Sequence, residues 1–335
     1  MTRAAPRRKN EAIPINPRNG PMKALSATLL ALALFAPHAQ AGTPLAAGAG
    51  EITTDDGVRL HYTVGGQGPV ALFLHGGPGS GAESFRALAG PVLGGDYTVV
   101  WLDQRGSGAS ASAANGDYAL QRQIADFEQV RKALKVDRWT VVGYSFGGLM
   151  AQAYTLQSPG TTQSLVLINA LLNLPQSMQS TTAYGRTLLP DPMVQAIDAA
   201  GEPHQQYFST LALLQKAKQD WRLQYASGQS RDRALAVLER MPARNHDMGQ
   251  KMFQAGPGAY FHDWGSEAPK VQVPVLLIAG EEDHVVGEHA HMQWRFPHKT
   301  EVLLPGRHNV VVEAPARVQQ AIHRFARDTR VPAPR

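Results

Sequence analysis

Six short runs constrain the fold of this chain more than anything else in it. VALFL, TVVWL, WTVVGY, SLVLI, VLLIAG and TEVLL are almost wholly apolar, and each breaks off into a polar or glycine-rich loop. A strand with one face in water alternates apolar and polar residues; a continuous apolar strand must be covered on both faces. Between several of these runs lie stretches with helical spacing, such as Leu120, Ile124, Phe127, Val130 and Leu134. Strands alternating with helices predict an α/β domain, a mainly parallel sheet with helices on both faces. Ahead of them, EITTDDGVRLHYTVGG predicts a hairpin turning at Asp55-Asp56-Gly57.

One segment departs from this rhythm. Residues 171–269 contain helical patterns and no core strand, so they predict a helical cap inserted into a core formed by 42–170 and 270–335. In such sheets ligands bind at the carboxyl ends of the strands, where an insertion leaving that edge is placed to cover them.

The amino-terminal end is treated apart from the fold. Lys23 is followed by the apolar run Ala24–Ala36 and then by Ala39-Gln40-Ala41. This is the layout of a secretory signal peptide, which predicts cleavage after Ala41 and a periplasmic or secreted protein. The run falls short of the roughly 20 apolar residues of a membrane span. Translation starting at Met1 or at Met22 is equally compatible with this leader, which takes up residues 1–41. Of the chain's 32 basic and 27 acidic residues, six and one fall in the leader, leaving 26 of each sign. A formally neutral remainder gives no electrostatic case for nucleic acid or an anionic membrane. There are no cysteines, which excludes disulfides, thiolate metal sites and a cysteine nucleophile.

The chemistry is carried by Gly143-Tyr144-Ser145-Phe146-Gly147, at a strand-to-helix junction. A sharp turn there exposes a serine hydroxyl and needs small neighbours. The hydroxyl is a weak nucleophile until a base takes its proton, and that base must be oriented by a carboxylate. Downstream, Asp283 follows the strand ending at Gly280, and His308 follows the last strand. Glu281 and Glu282 compete for the acid role but have barely left the strand, so Asp283 has the better offset. Acyl transfer also needs donors for a developing oxyanion. The loop HGGPG, His75 to Gly79, predicts the Gly77 N–H for this, with that of Phe146.

GYSFG, HGGPG and DQRGSGAS (Asp103 to Ser110) together resemble the α/β-hydrolase superfamily, and within it the proline iminopeptidase-like branch of serine peptidases. The resemblance covers nearly all of the chain after residue 41 outside the insertion. It implies the α/β-hydrolase fold, a Ser145, Asp283, His308 triad, no metal or other cofactor, and release of an amino-terminal residue from a short peptide. Two features depart from that branch. The elbow reads GYSFGG where the branch usually has GGSWGS, and the cap acids (Asp191, Asp198, Glu202, Asp220, Glu239, Asp263, Glu267) are scattered, with none marked out to hold a free amine. A carboxylesterase or lactonase acting on a small acyl ester is the alternative. Asp103 and Arg105 are expected to brace their loop by ion pairing. His284, Glu288, His289 and His291 are expected on a solvated helix face rather than around a metal. The cap aromatics Tyr184, Tyr207, Trp221, Tyr225, Phe253, Tyr260 and Trp264 are expected mainly in the cap core, with some lining a pocket.

Overall fold

A computed structural model describes Met1 and residues 45–252 and 258–329. The signal segment and Phe253 lie outside these residues. The expected hairpin is formed by β1 (Gly48–Thr53) and β2 (Arg59–Gly66), paired antiparallel. The core strands follow: β3 (Val70–Leu74), β4 (Thr98–Leu102), β5 (Trp139–Tyr144), β6 (Thr162–Ile168), β7 (Val275–Gly280) and β8 (Lys299–Leu304). They form one eight-stranded sheet in the order β1-β2-β4-β3-β5-β6-β7-β8. All pairings from β4 through β8 are parallel.

Apart from TEVLL, which forms the edge strand β8 and leaves Leu303 exposed, the apolar runs are explained by two cores, one on each face. Leu72, Leu74, Val141, Leu165, Leu167, Val275 and Leu277 point to one face, where α2 (Leu120–Ala133) and α3 (Gly147–Gln157) cover them. Their neighbours Ala71, Phe73, Val142, Val166, Ile168, Leu276 and Ile278 point to the other, beneath α1 (Ala82–Gly94) and a carboxyl-terminal helix, Pro315–Asp328. Successive side chains of a strand alternate between faces, so a strand with a core on each side is apolar except where polar groups satisfy each other, as Thr140 and Ser164 do at 2.9 Å. The central helix α3 is buried from Gly147 through Thr155.

The insertion between β6 and β7 is helical, as its sequence predicts. It holds α4 (Leu174–Thr187), α5 (Asp191–Asp198), α6 (Pro203–Lys216), α7 (Trp221–Gln224), α8 (Gly228–Leu238) and α9 (Asp247–Lys251), then 3-10 turns to Lys270. Leu189, Ile197, Leu214 and Leu223 give it a small core of its own. A strap running from Arg244 to Met248 binds the cap to the loop after β4. Gly108 and Asn245 exchange both backbone bonds, at 3.1 and 2.9 Å, and the Met248 N–H donates to the Gly106 carbonyl at 3.0 Å. Past β8 come α10 (Val310–Glu313) and the carboxyl-terminal helix, now α11. Among the described residues no helix is long and apolar enough to cross a membrane.

Candidate active site

Parallel strands deliver their carboxyl ends to one edge of the sheet, and the candidate residues collect there. Ser145 follows β5 at φ 53°, in the left-handed region that costs a non-glycine residue energy. The glycines around it are required by close backbone approach. A Cβ on Gly147 would lie 2.1 Å from the Leu74 carbonyl oxygen, and one on Gly143 would lie 2.7 Å from the Gly147 oxygen.

Ser145, His308 and Asp283 are buried and joined in line. His308 Nε2 lies 2.8 Å from Ser145 Oγ, and His308 Nδ1 lies 3.0 Å from Asp283 Oδ2. A carboxylate only accepts, so Nδ1 carries the ring proton and Nε2 is left to accept the serine proton. Asp283 Oδ1 also accepts the N–H groups of Val285 and Val286, each at 3.1 Å. Burial pushes the Asp283 carboxyl upward, but His308, Asn169 and the Val286 N–H outweigh it and hold the group below the usual carboxylate range. Glu281 and Glu282 are exposed.

Asn169 is a residue that the sequence reading missed. It follows β6 at φ 43°. Its amide donates to Asp283 Oδ2 at 2.8 Å and to the Arg307 carbonyl at 3.1 Å, bridging the loops that carry the acid and the imidazole. The available signal was weak: an asparagine, which tolerates this backbone region, directly after an apolar strand.

The HGGPG loop lies against the elbow, where a Cβ on Gly76 would meet Ser145 Cβ at 2.8 Å. His75 holds it in place. His75 Nδ1 donates to the Gly76 carbonyl, and Nε2 accepts the Gln104 N–H at 3.2 Å. Complete burial keeps this imidazole below the usual histidine range. Among the described residues, neither the Gly77 nor the Phe146 N–H donates to another protein atom. Two free amides beside a serine are available to an oxygen of a bound molecule.

Asp103 and Arg105 brace the loop through partners other than each other. Asp103 accepts the N–H groups of Ala82 and Ala109 and faces His61 Nδ1 at 3.2 Å. The Arg105 guanidinium is wholly buried and grips Asp126 and Asp56, each with two bonds. The expectation of a solvated histidine face is corrected. The segment is a series of turns with one short 3-10 piece, Ala290–Gln293, in which His284 and His291 turn inward while His289 stays exposed. His284 stacks on Tyr184 at 3.6 Å, and His291 is buried opposite Glu301.

A cavity of about 470 Å³ opens over Ser145 and His308. Cap residues Tyr207, Leu211, Tyr225 and Leu238 supply an apolar wall, and Gly77 and Arg244 reach it from opposite sides of the chain's length. None of the described residues lining it is Asp or Glu. Among the described residues, Tyr207 and Tyr225 are the cap aromatics that line the pocket, whereas Tyr260 packs against Phe146.

Residues 69–315 match the description of the alpha/beta hydrolase fold. The chain belongs to the alpha/beta hydrolase fold family. The chain is 39% identical over 122 residues to the proline iminopeptidase of Xylella fastidiosa, and 35% identical over 114 residues to a putative carbamate hydrolase of Variovorax paradoxus. Those matches take in 35% and 33% of this chain, and only 38% and 42% of the relatives' own lengths. Among solved structures, the proline iminopeptidase-related protein of Thermus thermophilus superposes with a TM-score of 0.72 at 22% identity, over 86% of this chain and 100% of that chain. An esterase from Exiguobacterium antarcticum gives 0.60 at 20% identity, over 83% and 98%. At these identities the structural likeness concerns the fold.

Proposed function

We propose that this hydrolase cleaves small acyl esters through an acyl-enzyme on Ser145. The observation that carries the reading is the 2.8 Å contact from Ser145 Oγ to His308 Nε2, with His308 held from behind by Asp283. In this scheme Ser145 Oγ attacks the ester carbonyl while its proton passes to His308 Nε2. The carbonyl oxygen, now negative, takes the N–H groups of Gly77 and Phe146. Collapse breaks the ester bond, and the alcohol leaves with the proton from His308. Water then attacks the acyl-enzyme by the same route, giving the carboxylic acid and restoring Ser145. Asp283 stays ionised throughout and holds the imidazole in its tautomer.

Similarity to proline iminopeptidases favours a second reading, release of an amino-terminal residue from a peptide. That substrate brings an ammonium group into the cavity, and a partly buried ammonium needs a carboxylate partner. The described lining supplies none, which favours the ester. The leader sequence supports export, with cleavage after Ala41; a mature protein that still carries Arg3 through Gly20 would contradict it.

The test is Ser145→Ala, assayed on prolyl and alanyl arylamides and on short acyl esters, together with labelling by a fluorophosphonate probe. The expected result is ester hydrolysis and labelling that both disappear in the variant. Undiminished hydrolysis would end the mechanism. Arylamide turnover confined to substrates with a free amino terminus would replace the ester reading with the aminopeptidase one.

A further inference from the structure

Arg244 stands in the cavity without a counter-ion. Its guanidinium donates to the Ser80 carbonyl at 3.1 Å and touches Met241 Sδ at 3.9 Å. No carboxylate of the described residues lies within 4.0 Å of it. Elsewhere in the fold Arg105, Arg122 and Arg131 are each paired with acids, and Arg222, which has no acid beside it, lies against the Trp221 ring instead. An arginine that a protein keeps partly buried and unpaired in the cavity over Ser145 is a cation held for something else.

Its position is fixed by the backbone on which it sits. The strap pins the next residue, Asn245, to Gly108 through both backbone groups, and the Asn245 side chain donates to the Ser110 carbonyl and to Ser112 Oγ at 3.0 and 2.9 Å. His246 donates from Nδ1 to the Gly79 carbonyl at 3.1 Å. A Cβ on Gly79 would lie 2.9 Å from the Gly249 nitrogen, so the strap lies directly on the HGGPG loop. Arg244 is therefore tied to the same loop as the Gly77 amide. A pre-placed fork loses little freedom when it closes on a planar anion. The other titratable side chains lining the cavity, His75, His246, His308, Tyr144, Tyr207 and Tyr225, bring no negative charge at neutral pH to compete for it.

We propose that Arg244 makes this hydrolase selective for esters that carry a carboxylate, which it binds while Ser145 attacks the ester carbonyl. This rests on the acyl-enzyme reading above and narrows its substrate class. The bonds made and broken are those already given, and the products are an alcohol and an acid, one of which bears the additional carboxylate.

Two matched pairs of probes test it on the purified enzyme. Comparing p-nitrophenyl hemisuccinate with p-nitrophenyl butyrate puts the charge on the acyl side. Comparing p-carboxyphenyl acetate with phenyl acetate puts it on the leaving side. In one pair the charged ester is expected to lead in kcat/KM by about tenfold to a hundredfold, the range of a charge-assisted hydrogen-bonded pair. Arg244→Gln should remove that lead, mainly through KM, and Arg244→Lys should keep part of it. Added salt should reduce the lead in the wild type. The proposal is overturned if neither pair shows a lead in the wild type, whether from equal rates or from no turnover. It is also overturned if the lead survives Arg244→Gln, or if that variant slows both members of a pair alike, as a structural residue would. Hydrolysis of all four esters that persists in Ser145→Ala instead strikes down the acyl-enzyme reading, a result separate from these.

Discussion

Asn169→Ala is the substitution that most directly tests how the site is held. The amide it removes makes two bonds, one to the ionised Asp283 and one to the Arg307 carbonyl next to His308. A hydrogen bond to a charged group contributes about 1.5–3 kcal/mol and a neutral one about 1 kcal/mol. Alanine must also keep the φ of 43°, which suits asparagine better and adds about 1 kcal/mol. The total is about 4 kcal/mol, or roughly 8–16 °C in Tm for a domain of this size. Asn169→Gly separates the contributions, because glycine adopts this φ freely but makes neither bond. Its melting temperature should lie above that of Asn169→Ala, while both variants lose about 10- to 100-fold in kcat/KM through a loosened imidazole. The Asn169 bond also helps hold the Asp283 carboxyl down. Without it the carboxyl takes up its proton at higher pH, so the acid limb of the kcat/KM profile should move upward. Calorimetry and a pH–rate profile on one ester suffice. Wild-type kcat/KM and an unmoved acid limb in Asn169→Gly would refute the argument.

Two further outcomes follow from the geometry. Gly147→Ala sets a methyl group 2.1 Å from the Leu74 carbonyl oxygen and 2.7 Å from that of His75. Since both are backbone, the elbow must shift, and a thermal melt should show a loss of about 1–3 kcal/mol with most of the activity gone. His75 is held neutral when folded, so below the unfolded histidine value of about 6.5 the unfolded chain binds the extra proton, and stability falls with falling pH. Urea midpoints between pH 5 and pH 8 should show a shallower slope in His75→Gln than in the wild type; equal slopes would show that His75 contributes nothing to it.

The parts of this fold that the sequence made legible are those governed by local rules. An apolar strand that stops at a glycine tells where the sheet edge is, and a serine, an aspartate and a histidine at three such edges are brought together by parallel topology alone. Asn169, Arg244 and the strap obey no local rule. Asn169 is one residue beyond a strand and becomes significant only when β7 and β8 set their loops beside it. Arg244 lies among the exposed-looking charges of the cap, and only the pairing of Asn245 with Gly108, far away in sequence, turns it toward the serine's cavity. The histidines near His289 were misjudged for a similar reason. Two-residue spacing separates faces on a helix, but here the chain makes turns, and packing against Tyr184 and Glu301 decides their burial.

The order in which the chain supplies its site has a consequence for biosynthesis. Ser145, Gly77 and Phe146 precede the cap, whereas Asp283 and His308 both follow Lys270. A nascent chain that has emerged only as far as the cap holds a serine with no base and no acid beside it. It also lacks β7 and β8, which finish one edge of the sheet. On the proposed mechanism Ser145 is therefore inert until the last part of the polypeptide docks, and a molecule cut short after the cap is silent as well as incomplete. On the proposed mechanism, competence to act is the last property that folding confers on this protein.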